Sequence, residues 1–175
     1  MSLVVLLRGV NVGGNRTFRP AVLAKALSDY DVVNIGAAGT FVVRKSPGEP
    51  TLRREFSRRL PFDAEIMICE GRELIEMASS ERFPGIPSRP DIVRFVTVLG
   101  SSGYTLPALP ISFPQKGRWL LKIVGVQDRF LFGAYRRHMK VIGYLDQIDK
   151  LCGVSATTRN WNTITTIIRT LNTPR

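Results

Sequence analysis

Two short stretches carry residues that could do chemistry together. The first, Arg8-Gly9-Val10-Asn11-Val12-Gly13-Gly14-Asn15-Arg16, follows an apolar run and precedes a helix-prone segment. Gly9, Gly13 and Gly14 allow successive backbone N–H groups to converge on an anion, and Arg8, Asn11 and Arg16 add side-chain donors. The spacing matches neither the dinucleotide fingerprint nor a phosphate loop, and the Lys-Ser/Thr pair of the latter is missing. A purely conformational reading stands beside this one, in which the glycines supply positive φ in a tight loop. The second stretch is Thr157-Thr158-Arg159-Asn160-Trp161-Asn162-Thr163 near the other end. Here Arg159, Asn160 and Asn162 can form a polar wall, with Trp161, Ile164, Ile168 and Leu171 on the opposite, core-facing side of a helix. The bland alternative has Thr158 capping that helix while the asparagines brace neighbouring loops.

Charge gives both stretches a common ligand class. Of 175 residues, 25 are Lys or Arg against 14 Asp or Glu, a formal net charge of +11. Only six of the cations are lysines, and arginine favours planar, bidentate contacts to phosphate or carboxylate. Arg53, Arg54, Arg58 and Arg59 form one dense cluster, and Arg136, Arg137, His138 and Lys140 another. Within the first, Glu49–Arg53 and Glu55–Arg59 are spaced to pair along a helix, leaving Arg54 and Arg58 for solvent or a polyanion.

Several chemistries are excluded. His138 is the one histidine, so a His-rich metal site is impossible. Cys69 ends an apolar strand and Cys152 lies on an apolar helix face, positions of inert core thiols rather than nucleophiles. There is no nucleophile elbow and no carboxylate motif for a divalent metal. No metal or cofactor is expected and no catalytic residue can be named. Asp29, Asp31, Asp63 and Glu70 are ordinary carboxylates among which sequence cannot choose.

These residues must be positioned by a mixed fold. Hydrophobic residues are 44% of the chain, enough for a substantial core. Leu3 to Leu7 reads as a buried strand and is too short to span a bilayer. A helix starts near Pro20, with Val22, Leu23, Ala26, Leu27 and Tyr30 on one face. Val32 to Ile35 and Thr40 to Arg44 are strands flanking Gly36-Ala37-Ala38-Gly39. Thr51 can cap a helix to Leu60 with Leu52, Phe56 and Leu60 inward. Ala64 to Cys69 is a strand and Gly71 to Ala78 a short helix. Three prolines between Phe83 and Pro90 mark the internal boundary. Beyond it, Ile92 to Leu99 is a strand, and Arg118 to Val126 with Arg129 to Tyr135 forms a hairpin around Gln127-Asp128. A helix through Leu145, Ile148 and Cys152 ends at Gly153, and the last helix runs from Thr158 to Leu171.

Three motifs together resemble a known family. Arg8 to Gly14, Ile35-Gly36-Ala37-Ala38-Gly39-Thr40-Phe41-Val42-Val43, and Thr157 to Thr163 are similar to the bacterial domain-of-unknown-function family numbered 1697, over nearly the whole chain. The middle motif departs from the family's usual Ser-Gly-Asn at Ala38-Gly39-Thr40, and Arg136 to Ile142 is bulkier and more basic than the family's Gly- and Lys-bearing loop. The resemblance implies an α+β fold of two ferredoxin-like lobes with a C-terminal helix, and no activity.

The expectation is therefore an α+β protein with lobes at 1–88 and 89–175, soluble and cytoplasmic, without membrane contact. Its expected ligand is a small phosphate-bearing molecule held between the glycine loop (Arg8, Gly9, Asn11, Gly13, Gly14, Arg16) and Arg159, Asn160 and Asn162. Non-specific, weak nucleic-acid binding through the arginine clusters is the alternative. An enzyme using Arg and Asn to stabilise an oxyanion comes third.

Overall fold

The computed structural model describes residues 1–12 and 14–174. The chain divides into two compact units, 1–76 with 163–175, and 77–162.

The first unit is built on β1 (Leu3–Arg8), β2 (Val32–Asn34), β3 (Thr40–Val43) and β4 (Glu65–Glu70), with α1 (Pro20–Ala26) following β1 and α2 (Glu49–Arg59) following β3. The strands form one antiparallel sheet in the order β2-β3-β1-β4. Leu3, Val5 and Leu7 alternate onto the face that carries Phe41, Val43, Ile66 and Ile68, and there they meet Leu23 and Leu27 of the α1 segment and Leu52, Phe56 and Leu60 at α2. Val4, Leu6, Val42, Met67 and Cys69, which alternate onto the other face, are buried too. A strand covered on both faces reads as a continuous apolar run, as Leu3 to Leu7 does.

Two local expectations are corrected. The buried face of α1 is Leu23, Ala24 and Leu27, while Val22 is 59% exposed. The α2 helix begins at Glu49, before Thr51, with Gly48 at its N-cap and Pro50 in its first turn, where proline's missing N–H costs nothing.

In the second unit β5 (Ile92–Leu99), β6 (Ile111–Phe113), β7 (Leu121–Gln127), β8 (Phe130–Arg136) and β9 (Ala156–Asn160) form an antiparallel sheet ordered β6-β7-β8-β5-β9. Two short helices, α4 (Val141–Leu145) and α5 (Ile148–Cys152), separate β8 from β9, and α5 ends at Gly153 in the left-handed region. The core joins Phe95, Leu99, Leu121, Ile123 and Leu131 to Val141, Ile148 and Cys152. Gly133 makes room here: a Cβ on it would lie 2.5 Å from the Phe95 ring and 2.4 Å from the Lys122 carbonyl. With β6 set aside, β7-β8-β5-β9 repeats the order β2-β3-β1-β4, but an irregular, proline-rich segment stands where the first unit has α1.

The largest correction lies at 156–160. Sequence reading started the last helix at Thr158, but Ala156–Asn160 is a strand paired with β5, and the helix α6 is Trp161–Asn172. Two adjacent threonines favour an extended backbone, and an available sheet edge decides the outcome. The Thr97 and Thr158 hydroxyls meet at 2.7 Å across that pair. A short helix, α3 (Gly71–Met77), follows β4. The unit boundary passes through α3 after Glu76 and through α6 after Asn162. Most of α6 therefore belongs to the first unit, not to the 89–175 lobe: Leu171 touches Gly71, and Arg44 Nη2 donates to the Thr170 carbonyl at 3.1 Å. Its buried residues are Ile164 and Ile167, where Ile168 was expected.

Candidate functional site

The glycine loop is shaped by its own hydrogen bonds. Gly9 (φ 66°) and Gly14 (φ 79°) supply positive φ, as do Asn11 (φ 53°) and Arg16 (φ 48°); Gly13 lies outside the described residues. The Asn11 backbone N–H donates to the Arg16 carbonyl, and the Asn15 N–H to the Val12 carbonyl at 2.9 Å. The Asn11 side chain is engaged at both ends: Nδ2 donates to the Ala37 carbonyl, and Oδ1 accepts from the Phe18 N–H, each at 2.9 Å. Asn11 thus ties the loop to the Gly36–Gly39 turn. That turn comes close to the sheet, since a Cβ on Gly39 (φ 76°) would sit 2.6 Å from Val10 and 2.8 Å from Leu7 Cβ. Beside the loop is a concavity of about 460 Å³ lined by Arg8, Gly9, Arg16, Asp63, Ala64 and Glu65. Arg8 is paired across the sheet with Glu65 at 3.2 Å.

The second stretch is divided by strand alternation. Arg159 and Asn160 are neighbours on β9 and so project to opposite faces. Arg159 is 7% exposed, and its Nη1 donates to Thr157 Oγ1 at 2.8 Å and to the Thr158 carbonyl at 2.9 Å. Burial lowers its pKa to about 10. Asn160 and Asn162 are exposed and line a pocket of about 290 Å³ in the second unit.

This pocket lies where β5 begins and β8 and β9 end. Its other lining residues are Pro87, Ser88, Arg89, Ile92, Val93, Arg94, Tyr135, Arg137 and Trp161, with no carboxylate among them. Three guanidiniums therefore share one small concavity, each anchored differently. Arg89 Nε donates to Asp91 Oδ1 at 2.9 Å. Arg137 Nε donates to the Pro90 carbonyl at 3.2 Å. Arg94 Nη2 donates to the Ile86 carbonyl at 2.9 Å, with its guanidinium 5.4 Å from the centre of the Phe83 ring. Arg136 comes within 3.7 Å of Asp91 Oδ2 and lies over the Trp119 ring. Desolvation is the largest single influence on Asp91 and raises its pKa, but hydrogen bonds from Arg89 and from its own backbone, with the charges of Arg89 and Arg136, together outweigh it and hold the carboxyl below its ordinary value.

Tyr135 faces the same space, with its ring stacked on Phe95 at 6.0 Å. Burial pushes its hydroxyl pKa up, against the opposing charge of Arg137, so the phenol is a neutral donor. Trp161 packs edge-on against Phe83 at 5.0 Å.

Sequence reading missed Arg89, Arg94 and Tyr135 and placed Arg137 only within a basic cluster. The signal was a serine and arginine beside prolines before a β-prone run, which read as a boundary. Of the expected residues, Asn160 and Asn162 share this pocket, and Arg8, Gly9 and Arg16 share the other. Arg159 lines neither, and Asn11 serves the loop's own structure.

The thiols of Cys69 and Cys152 are buried and are not joined in a disulfide. Burial, with the charge of Asp149, raises the Cys152 pKa. Among the described residues no group of three or more His, Cys, Asp and Glu could hold a metal ion, and no helix is long and apolar enough to cross a membrane.

A family model described as "Protein of unknown function (DUF1697)" matches residues 1–101. The third motif, at Thr157 to Thr163, lies beyond that match. Across 98% of each chain the fold is similar to that of the conserved bacterial protein SP0830 from Streptococcus pneumoniae, with a TM-score of 0.65 and 14% identity. No curated protein matches.

Proposed function

Since the chain belongs to the DUF1697 family, whose description assigns no activity, the reading has to come from geometry, and we propose that the protein binds a small oxyanion-bearing ligand in the arginine-lined pocket of the second unit. One observation carries this. Arg89 and Arg137 are anchored through Nε, so neither Nη1 nor Nη2 of either side chain is spent among the described residues. An Nη1/Nη2 edge is a bidentate donor for carboxylate or phosphate. Among the described residues Asp91 is the only carboxylate bonded to the cluster, which leaves an excess of positive charge. Asn160 and Asn162, at the start of α6, are the part of the expected site that this pocket includes.

The glycine loop has less to offer an anion, because Asp63 and Glu65 share its concavity with Arg8 and Arg16. Nucleic-acid contact through α2 is weakened in the same way. Arg53 pairs with Glu49, while Arg58 and Arg59 both reach Glu55. Arg54 Nη2 reaches the Thr51 hydroxyl at 3.5 Å.

We also infer a ferredoxin-like origin for both units. The support is the βαββαβ chain order with sheet order β2-β3-β1-β4, and its counterpart β7-β8-β5-β9 without the first helix. Two buried cysteines not joined in a disulfide are in keeping with a reducing, cytoplasmic setting.

The test is thermal unfolding in sodium sulfate and sodium phosphate, against sodium chloride at matched ionic strength. A ligand at a hundred times its dissociation constant adds about 2.7 kcal/mol, or roughly 5 to 10 °C for a chain of this size. Arg137→Ala and Arg89→Ala are expected to remove most of that increment. No increment in wild type, or an undiminished one in both variants, refutes the reading.

A further inference from the structure

The three pocket arginines are held at two separate places, and that arrangement bears on the ligand. Arg89 and Arg137 are tethered to the adjacent residues Asp91 and Pro90, so their guanidiniums form one cationic cluster. Arg94 is tethered elsewhere. Its Nη2 is fixed on the Ile86 carbonyl and its plane is backed by Phe83. Its Nε and Nη1 have no partner among the described residues. The remaining polar lining is Ser88, Asn160, Asn162 and the Tyr135 hydroxyl. Such a wall is rich in donors and contains no carboxylate to accept a hydrogen bond. A sugar or a polyol, which carries no charge, leaves the guanidiniums uncompensated. A ligand whose whole exterior accepts is well matched. The volume, about 290 Å³, also exceeds what one tetrahedral oxyanion fills.

We propose that the pocket selects ligands bearing two linked oxyanion groups, of the pyrophosphate type, with one group on Arg89 and Arg137 and the other on Arg94. This deepens the reading above and rests on it. Each anchoring is made by backbone or a neighbouring carboxylate, which lowers the ordering cost of binding. A ligand engaging both places gains the second contact at high effective concentration, which separates it from a single oxyanion by a factor and not merely by an increment of charge.

The experiment measures dissociation constants by isothermal titration calorimetry for orthophosphate, pyrophosphate, acetate and succinate, without divalent metal, at fixed ionic strength. Wild type is expected to bind pyrophosphate at least 30-fold tighter than orthophosphate. Arg94→Leu is expected to bring the ratio below fivefold while leaving orthophosphate affinity within threefold. Arg94→Lys, which keeps the charge without the fork, is expected to give an intermediate ratio and guards against a folding defect in Arg94→Leu. Succinate preferred over acetate by more than pyrophosphate is over orthophosphate would assign the two groups as carboxylates and overturn the pyrophosphate assignment. Equal affinity for ortho- and pyrophosphate, or an equal loss of both in Arg94→Leu, would overturn the two-subsite inference but leave a single-oxyanion site standing. Absence of binding by all four probes would remove the underlying reading as well.

Discussion

Gly39 and Gly36 flank one turn and allow steric crowding to be separated from backbone conformation. Both sit at positive φ, 76° and 73°. An alanine in that region costs about 1 to 2 kcal/mol at either position. At Gly36 nothing lies within 4 Å of the added Cβ, so the cost ends there. At Gly39 the Cβ would lie 2.6 Å from Val10 Cγ2 and 2.8 Å from Leu7 Cβ. The latter atom cannot swing away, because it is attached directly to a central strand, and the Leu7 N–H donates to the Gly39 carbonyl at 2.8 Å. Forced repacking of this kind adds about 1 to 3 kcal/mol. Gly39→Ala is thus expected to destabilise by roughly 2 to 5 kcal/mol and Gly36→Ala by about 1 to 2. With a urea slope of about 1 to 3 kcal/mol/M, the two midpoints should differ by roughly 1 M. Urea unfolding followed by far-ultraviolet circular dichroism reads this directly, provided the slopes agree. A cycle with Val10→Ala sharpens it. Trimming the valine should recover part of the Gly39→Ala loss and none of the Gly36→Ala loss. Coincident midpoints for the two glycine variants would refute the close-approach argument and leave only backbone conformation.

Other predictions follow from the same geometry. Asn11→Ala removes two hydrogen bonds and an Asn from positive φ, so a loss of about 2 to 3 kcal/mol in urea is expected; a loss under half of that would mean the loop does not depend on Asn11. Arg159→Met should leave orthophosphate affinity within about twofold, because the side chain lies on the strand face away from Asn160; a loss of tenfold or more would bring Arg159 into the site. Cys152, buried and with its pKa raised, should resist Ellman's reagent in the native protein as the pH climbs through the ordinary thiol range, and should react promptly in urea; rapid native labelling at neutral pH would contradict its burial.

Local patterning determined much of the architecture. The apolar run at Leu3 to Leu7, the inward spacing of Leu52, Phe56 and Leu60, the turn at Asp128 and the stop at Gly153 all follow from period, φ preference or burial of one face. They involve neighbours in the chain, so sequence can express them. What it could not express is which edges pair. Thr157 and Thr158 suit a helix cap or a strand, and only the open edge of β5 makes them strand. That pairing alternates the side chains. It sends Arg159 to one face and Asn160 to the other, and so divides a motif that looked like one polar wall. The register of β5 with β8 brings Arg89, Arg94 and Arg137 to one end of a sheet, although up to 48 positions separate them along the chain. Charge composition raised the expectation of an anionic ligand. Where the arginines gather depends on strand order and on long-range backbone hydrogen bonds, which exist only after the chain has folded.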